Sequence, residues 1–125
     1  MKKIILILVF VLVTLVGASA QKKFTYSYVC VNSQYETPVV TWIDFYNGYI
    51  KDSGMTQFNY SHTDSNGNFV YINDRGNTFT FSSDYSEAWH TQKFLLFNQM
   101  SQTTKHYKFI GKGSQPAIDM FNGNK

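Results

Sequence analysis

Residues 39–49 read VVTWIDFYNGY, and this stretch decides the fold. It is rich in β-branched and aromatic side chains, which favour strands. Successive residues of a strand point to opposite faces, so Ile43 lies on one face while Trp42 and Tyr46 lie on the other. Both faces are apolar and need cover. Asn47-Gly48 then predicts a two-residue type I′ turn, because both central residues of that turn need positive φ.

The same two-residue period continues on both sides of this stretch. Alternation of apolar and polar residues, with turn residues between the runs, occurs in residues 24–30, 57–63, 69–73 and 78–82. Helix signals are nearly absent. Seven or eight short strands joined by hairpins predict an all-β antiparallel meander that closes into a small barrel or a two-sheet sandwich.

One apolar run stands out after the first twenty residues. Residues 94–97 read FLLF, and such a continuous run predicts a central strand that is buried on both faces. We expect this strand to lie within residues 88–100, with a turn at 101–104 and a last strand at 105–110. Residues 111–125 are then either a covering or a frayed tail.

Residues 1–20 have the pattern of an export signal peptide. Two lysines follow Met1, residues 4–16 are apolar except for Thr14, and Ala18-Ser19-Ala20 is a small-x-small cleavage site. The apolar run of about 13 residues is too short to span a bilayer, and no second run follows it. We therefore expect no membrane span and a single secreted β domain over residues 21–125. The short signal with two lysines suggests a bacterial protein, secreted or periplasmic.

Composition argues against several functions. The whole chain carries a net charge of +3. Without the two lysines of the predicted signal peptide, it has nine Lys and Arg and eight Asp and Glu, so the net charge is +1. No nucleic acid partner is expected for so weak a charge. Cys30 is the single cysteine, so it is expected to be a buried small hydrophobe. His62, His90 and His106 lie on three predicted strands without ligand spacing, and neither a metal nor a cofactor is expected.

Aromatic residues are the main functional signal. The chain has 11 Phe, 9 Tyr and 2 Trp, and only Phe10 falls within the predicted signal peptide. One sheet face cannot bury so many rings, so some are expected to line a cavity or an exposed patch. We predict a non-enzymatic binding protein for a hydrophobic or glycan-like small molecule, with Trp42, Trp89 and Tyr46 as ligand-binding residues. The competing interpretation is that both tryptophans are core residues.

Two other functions remain open. The first is a protein-binding module, such as an inhibitor of an extracellular enzyme, with contacts from the loops at 64–68 and 74–77. The second is a small hydrolase that uses Asp84, Glu87 and His90, because paired carboxylates can perform acid/base chemistry. Asp44 from a neighbouring strand would join this group. Whichever function applies, we expect a monomer or a weak dimer.

The start of the domain also resembles a known family. Phe24-Thr25-Tyr26 followed by Cys30, directly after an export signal, resembles the opening of the small periplasmic lysozyme inhibitors. This resemblance covers about seven residues and implies an eight-stranded barrel, although the chain has no matching inhibitory loop. The meander also resembles lipocalin-like barrels, in fold and not in motif, and fold does not imply function.

Overall fold

A computed structural model describes residues 21–123 of the chain. The predicted signal peptide at residues 1–20 lies outside the described residues. Eight antiparallel strands form a closed barrel in sequence order. The strands are β1 (Phe24–Cys30), β2 (Val40–Phe45), β3 (Tyr49–Asp52), β4 (Gln57–Thr63), β5 (Phe69–Ile72), β6 (Thr78–Phe81), β7 (Glu87–Leu96) and β8 (Gln99–Lys112). β1 pairs with β8, which closes the sheet. The predicted meander is confirmed, and it closes as a barrel.

The core lies inside the barrel and is dominated by aromatic rings. Tyr28 and Phe81 are fully buried, and the ring of Phe45 lies 5.0 Å from that of Phe81 and 5.4 Å from that of Tyr85. The Tyr28 hydroxyl donates a hydrogen bond to the Tyr85 carbonyl oxygen at 3.0 Å. Burial raises the pKa of Tyr28 far above its ordinary value. Cys30 is free and buried, so packing holds the barrel together without a disulfide.

A short helix, α1 (Gln115–Phe121), lies on the outer wall against β1, β2 and β8. The Ser27 hydroxyl of β1 donates to the Gly113 carbonyl oxygen at 2.7 Å and accepts from the Ala117 amide at 3.1 Å. Ser114, at the start of the helix, makes no side-chain capping bond. Ser27 therefore satisfies an amide of the first helical turn from a neighbouring strand. Within residues 21–123, no helix has the length and apolar character needed to cross a membrane.

The strand connections fall alternately at the two ends of the barrel. The end that carries the loop 31–39, the turns 53–56 and 73–77 and the β7–β8 hairpin is called the open end. The opposite end carries the turns 46–48, 64–68 and 82–86 and the rings around Tyr85, and is called the aromatic end. Residues far apart in the sequence thus meet at one end.

β7 and β8 pair beyond the barrel as a two-stranded hairpin. Their register continues to Leu96 opposite Gln99, and the chain turns at Phe97 and Asn98 with φ of 51° and 64°. The expectation that residues 94–97 form a central strand buried on both faces is wrong, because Leu95 is 66% exposed and Leu96 49%. The chain reverses before residue 101, where the turn was expected. Among residues 21–123, no third strand lies beside the outer part of the hairpin.

The turn at Asn47-Gly48 also differs from its predicted type. The Tyr46 amide donates to the Tyr49 carbonyl oxygen at 2.9 Å, so the turn has two residues as predicted. Only Gly48 has positive φ, at 91°. The type I′ prediction is therefore wrong, because positive φ at the second central residue alone is the pattern of a type II turn.

Candidate functional site

Trp42 and Tyr46 lie on the outer wall of the barrel. Trp42 pairs with Ser27, outside the interior row of Ile43 and Phe45, and is half-buried. Tyr46 stacks on Tyr49 with ring centroids 4.6 Å apart. Neither side chain faces the barrel interior.

Trp89 lies on the outer face of β7. It stacks parallel on His106 with ring centroids 5.2 Å apart, and the His106 Nε2 atom lies 2.8 Å from Glu87 Oε1. Since β8 and β1 separate β7 from β2, Trp89 is not brought together with Trp42 and Tyr46. A ligand role for these three residues stays a prediction.

Asp84, Glu87 and His90 do not form one group. Asp84 sits in the turn 82–86, where hydrogen bonds from Ser86 and Ser82 lower its pKa to about 2. Glu87 faces outward and His90 inward, because residues three apart in a strand point to opposite faces. Asp44 accepts a hydrogen bond from Thr25 at 2.6 Å on the outer wall. The side chains of the hydrolase alternative are therefore not brought together at one site.

The two loops proposed for protein binding lie at opposite ends of the barrel. Residues 64–68 precede the four-residue strand β5, and residues 74–77 follow it. A single strand carries its two flanking loops to its two ends. A partner that touches both loops must therefore extend along the length of β5, about 13 Å.

A cavity of about 570 Å³ opens at the barrel mouth, between the turns 53–56 and 73–77 and strand β7. Its volume is in the usual range for small-molecule sites. Polar side chains make up most of its lining, namely Asp52, Thr56, Gln57, Asn59, Asn73, Asp74, Arg75, Asn77 and Gln92. Phe58 and His90 supply the rings. This mouth cavity suits a ligand rich in hydrogen-bonding groups better than a hydrocarbon.

Turn hydrogen bonds fix the asparagine amides of this cavity. Asn73 Oδ1 accepts from the Arg75 amide at 3.0 Å and from the Asn77 amide at 2.9 Å. Asn77 Oδ1 in turn accepts from the Lys93 amide at 2.8 Å. Because backbone groups occupy both oxygens, the side-chain nitrogens are the parts of Asn73 and Asn77 that can donate to a ligand.

Asp52 is held in the same manner. Its Oδ1 atom accepts from the Gly54 amide at 3.0 Å and from the Thr56 amide at 2.9 Å. The Oδ2 atom remains as an acceptor for the cavity. The asparagine donors and the Asp52 acceptor are thus held in place at one rim of the barrel. Because these side chains are already ordered, binding a ligand costs less conformational entropy.

His90 lies at the inner side of the mouth cavity. Its ring stacks on Phe79 at 4.6 Å and meets Phe58 edge-on at 5.7 Å. Burial lowers the pKa of His90, the charge of Asp52 works in the opposite direction, and Lys105 lowers it further. The neutral imidazole therefore offers one donor and one acceptor at neutral pH.

A second cavity, of about 650 Å³, lies between the loop 31–39 and β8. Gln92 lines both cavities, so the two adjoin at the base of the hairpin. Tyr35 lines the second cavity with a side chain that is 75% exposed. Asn32 anchors the loop, because its amide nitrogen donates to the Thr104 carbonyl oxygen at 2.9 Å and its Oδ1 accepts from the His106 amide.

The end of the hairpin carries an exposed apolar cluster. Five large apolar side chains form this apolar tip, namely Phe94, Leu95, Leu96, Phe97 and Met100. Phe97 is 91% exposed, more than any other large hydrophobic residue of the described chain. Such an exposed cluster adds nothing to the barrel core.

Sequence reasoning missed the mouth cavity. It predicted residues 74–77 as a hairpin turn and as a protein-binding loop, and did not connect them with residues 53–56. The order of the strands could have predicted that the two turns are neighbours, because in an up-and-down meander every second strand connection lies at the same end. The polar residues that the two turns bring to this end, Thr56 in one and Asp74, Arg75 and Asn77 in the other, could then have been noticed.

Comparisons with protein families, curated proteins and solved structures found no match to this chain.

Proposed function

We propose that this protein is a secreted or periplasmic, non-enzymatic binding protein that holds a polar, glycan-like ligand at the open end of its barrel. The main support is the mouth cavity, where fixed amide donors and a fixed carboxylate acceptor converge. Sugar hydroxyls both donate and accept, so such a rim can pair them without rearranging.

The barrel interior favours a polar ligand over a hydrophobic one. Side chains such as Phe58, Phe79 and Phe81 fill it and are at most 1% exposed. A hydrophobic ligand would need an apolar hollow, whereas the open space lies among polar groups at the rim. Of the two ligand classes predicted from the sequence, we therefore propose the glycan-like one.

The ligand is proposed to be longer than a single sugar. The mouth cavity and the second cavity adjoin at Gln92, and each has the volume of a small-molecule site. Tyr35 offers an exposed ring in the second cavity, where an aromatic face can cover the apolar side of a sugar ring. An oligosaccharide across the base of the hairpin would use both cavities.

Export of the protein is part of this proposal. It rests on the signal-like pattern of residues 1–20. The test is mass spectrometry of the protein recovered outside the cytoplasm of an expressing bacterium, with Gln21 expected as its first residue. Retention of the uncleaved chain in the cytoplasm would contradict export.

Binding is tested on immobilised chito-, malto- and cello-oligosaccharides with matched variants. Gln92→Ala and Arg75→Ala remove exposed polar side chains from the lining and are expected to weaken binding by about three- to tenfold, the effect of one hydrogen bond. Gln102→Ala is the control, because Gln102 lies on the opposite face of the same hairpin.

Two results would contradict this proposal. One is the absence of binding to any of the oligosaccharides. The other is binding that survives Gln92→Ala and Arg75→Ala but is lost on Trp42→Ala, which would place the ligand on the outer wall.

A further inference from the structure

We propose that the apolar tip of the β7–β8 hairpin inserts into the interface of a membrane that contains anionic lipid. This docking is independent of the oligosaccharide site and goes beyond it. The tip is defined by Phe94, Leu95, Leu96, Phe97 and Met100 at the end of the two longest strands.

Apolar side chains lie on both faces of the tip, with Ser101 and Gln99 as the polar register partners of Phe94 and Leu96. Phe94 and Leu96 continue the inward row of β7, while Leu95 and Met100 face each other on the outward side. Phe97 stands at the apex. A groove-binding segment presents one apolar face to its partner, whereas a lipid interface surrounds what enters it. The distribution of these side chains therefore fits lipid.

The apex is built at a conformational cost that the fold does not require. Phe97 has φ of +51°, a region that favours Gly or Asn over bulky residues. Its ring is 91% exposed, so it gains no packing in the barrel. A residue that breaks a local rule without benefit to the folded state is expected at a functional site.

The dimensions and charges of the hairpin also fit a lipid surface. Phe94 and Phe97 are three residues apart, about 10 Å along a strand, which matches the depth of about 5–10 Å for interfacial insertion. Lys93 follows directly behind the tip, and Lys105 lies further back. Between Glu87 and Asp119 the chain has four lysines and no acidic residue. Of these, Lys93 is nearest to the tip and can reach anionic headgroups, whereas Lys108 and Lys112 lie in the barrel part of β8.

The acidic groups of the open end are set back from this hairpin. Glu36 lies in the loop 31–39, Asp52 at the end of β3 and Asp74 in the turn 73–77. They belong to the barrel rim, where the turn that carries Asp74 contacts the hairpin at Lys93, whose ammonium nitrogen lies close to Gly76. The charge nearest to the inserted tip is therefore that of Lys93.

A second copy of the chain is a poorer occupant of the tip. Stable interfaces bury about 800 Å² on each partner and involve about 20–30 residues a side. Five side chains at the end of a two-stranded hairpin supply much less. The tip alone is thus too small to hold a stable dimer.

The test is co-sedimentation with lipid vesicles. The chain from Gln21 is used, because it contains all eight strands and the helix and lacks the apolar run of residues 4–16, which would itself bind lipid. One vesicle population is phosphatidylcholine, and the other contains phosphatidylcholine with phosphatidylglycerol. Stronger binding to the anionic vesicles is expected. Phe97→Gly is expected to weaken that binding at least about tenfold, because it removes the apical ring.

Phe97→Gly separates binding from folding. Glycine accepts positive φ, so the melting temperature of this variant is expected to be unchanged or higher. Met55→Gly is the matched control, because Met55 also has positive φ and is 66% exposed but lies on the barrel rim. It should bind vesicles as the unmodified chain does. Lys93→Gln should weaken binding to the anionic vesicles about fivefold.

Three results would overturn the proposal. The unmodified chain could fail to bind either vesicle population. Phe97→Gly could bind as strongly as the unmodified chain. Finally, sedimentation could show a dimer that Phe97→Gly abolishes while vesicles capture neither protein, which would assign the tip to a second copy.

Discussion

His90 lies face to face with Phe79 inside the barrel, with ring centroids 4.6 Å apart and planes 6° from parallel. The two residues are register partners on β7 and β6, so the sheet itself sets this stack. Phe79 closes one face of the imidazole, while the mouth cavity lies beside it. The ionisable side chain of His90 thus lies between the apolar core and the mouth cavity.

The stability of the barrel is expected to fall between pH 7 and pH 5 because of His90. The unfolded chain protonates this residue near pH 6.5, whereas burial lowers the folded pKa. The unfolded state therefore binds more protons below about pH 6.5, and the free energy of unfolding decreases as the pH falls. The charge of Asp52 raises the pKa of His90, and the charge of Lys105 lowers it.

Thermal melts of His90→Phe test this dependence. The variant should lose less stability than the unmodified chain between pH 7 and pH 5, because its ring cannot be protonated. His62→Phe is the control, since His62 is exposed and should leave the decrease in place. An equal decrease in the unmodified chain and in His90→Phe would contradict this role.

Acid should also destabilise the turn 82–86. Hydrogen bonds from Ser86 and Ser82 lower the pKa of Asp84 to about 2 from its usual 3.8. The carboxylate therefore contributes stability above about pH 4, and this contribution is lost as the pH falls towards 2. Melting temperatures of Asp84→Asn should lie below those of the unmodified chain at pH 7 and approach them at pH 2. A constant difference over this range would contradict the prediction.

Ser27 should couple the helix to the barrel. Ser27→Ala leaves the Gly113 carbonyl and the Ala117 amide without this partner, at an expected cost of about 1–3 kcal/mol. Denaturant unfolding measures the loss. Ser83→Ala, at an exposed turn position, should change stability by less than about 0.5 kcal/mol. Equal stability of the two variants would exclude the capping role.

The hairpin tip should contribute little to stability. Leu96→Ala is expected to cost less than about 0.5 kcal/mol, because the side chain is half exposed. Phe81→Ala, in the core, should cost about 3–5 kcal/mol and lower the melting temperature by roughly 4–8 °C per kcal/mol. A large loss for Leu96→Ala would mean that the tip packs against the barrel.

The fold class follows from the sequence because period-two alternation is a local property. Residues 78–82 show it, and so does β1 with Tyr26 and Tyr28 facing inward. Closure as a barrel requires the pairing of β1 with β8, about eighty residues apart, which no local pattern specifies. The sequence alone therefore leaves the two-sheet sandwich as an alternative to the barrel.

The hairpin and the candidate site were harder to predict for one shared reason. An apolar run such as residues 94–97 is typical of a buried strand, and its exposure depends on whether a third strand lies beside it. Likewise Asn73 and Asn77 are ordinary turn residues until the barrel places them next to Gln92. Both features arise from tertiary neighbours and not from local preference.

The central claim is that the open end binds the ligand, and an amide chemical-shift titration tests it most directly. The chain from Gln21, labelled with ¹⁵N, is titrated with the oligosaccharide that binds best among the immobilised ones. The account predicts that the shifted amides cluster around Asn77, Gln92 and Tyr35. Shifts that instead cluster around Trp42 and Tyr46 on the outer wall, or no shifts with any of the oligosaccharides, would contradict it.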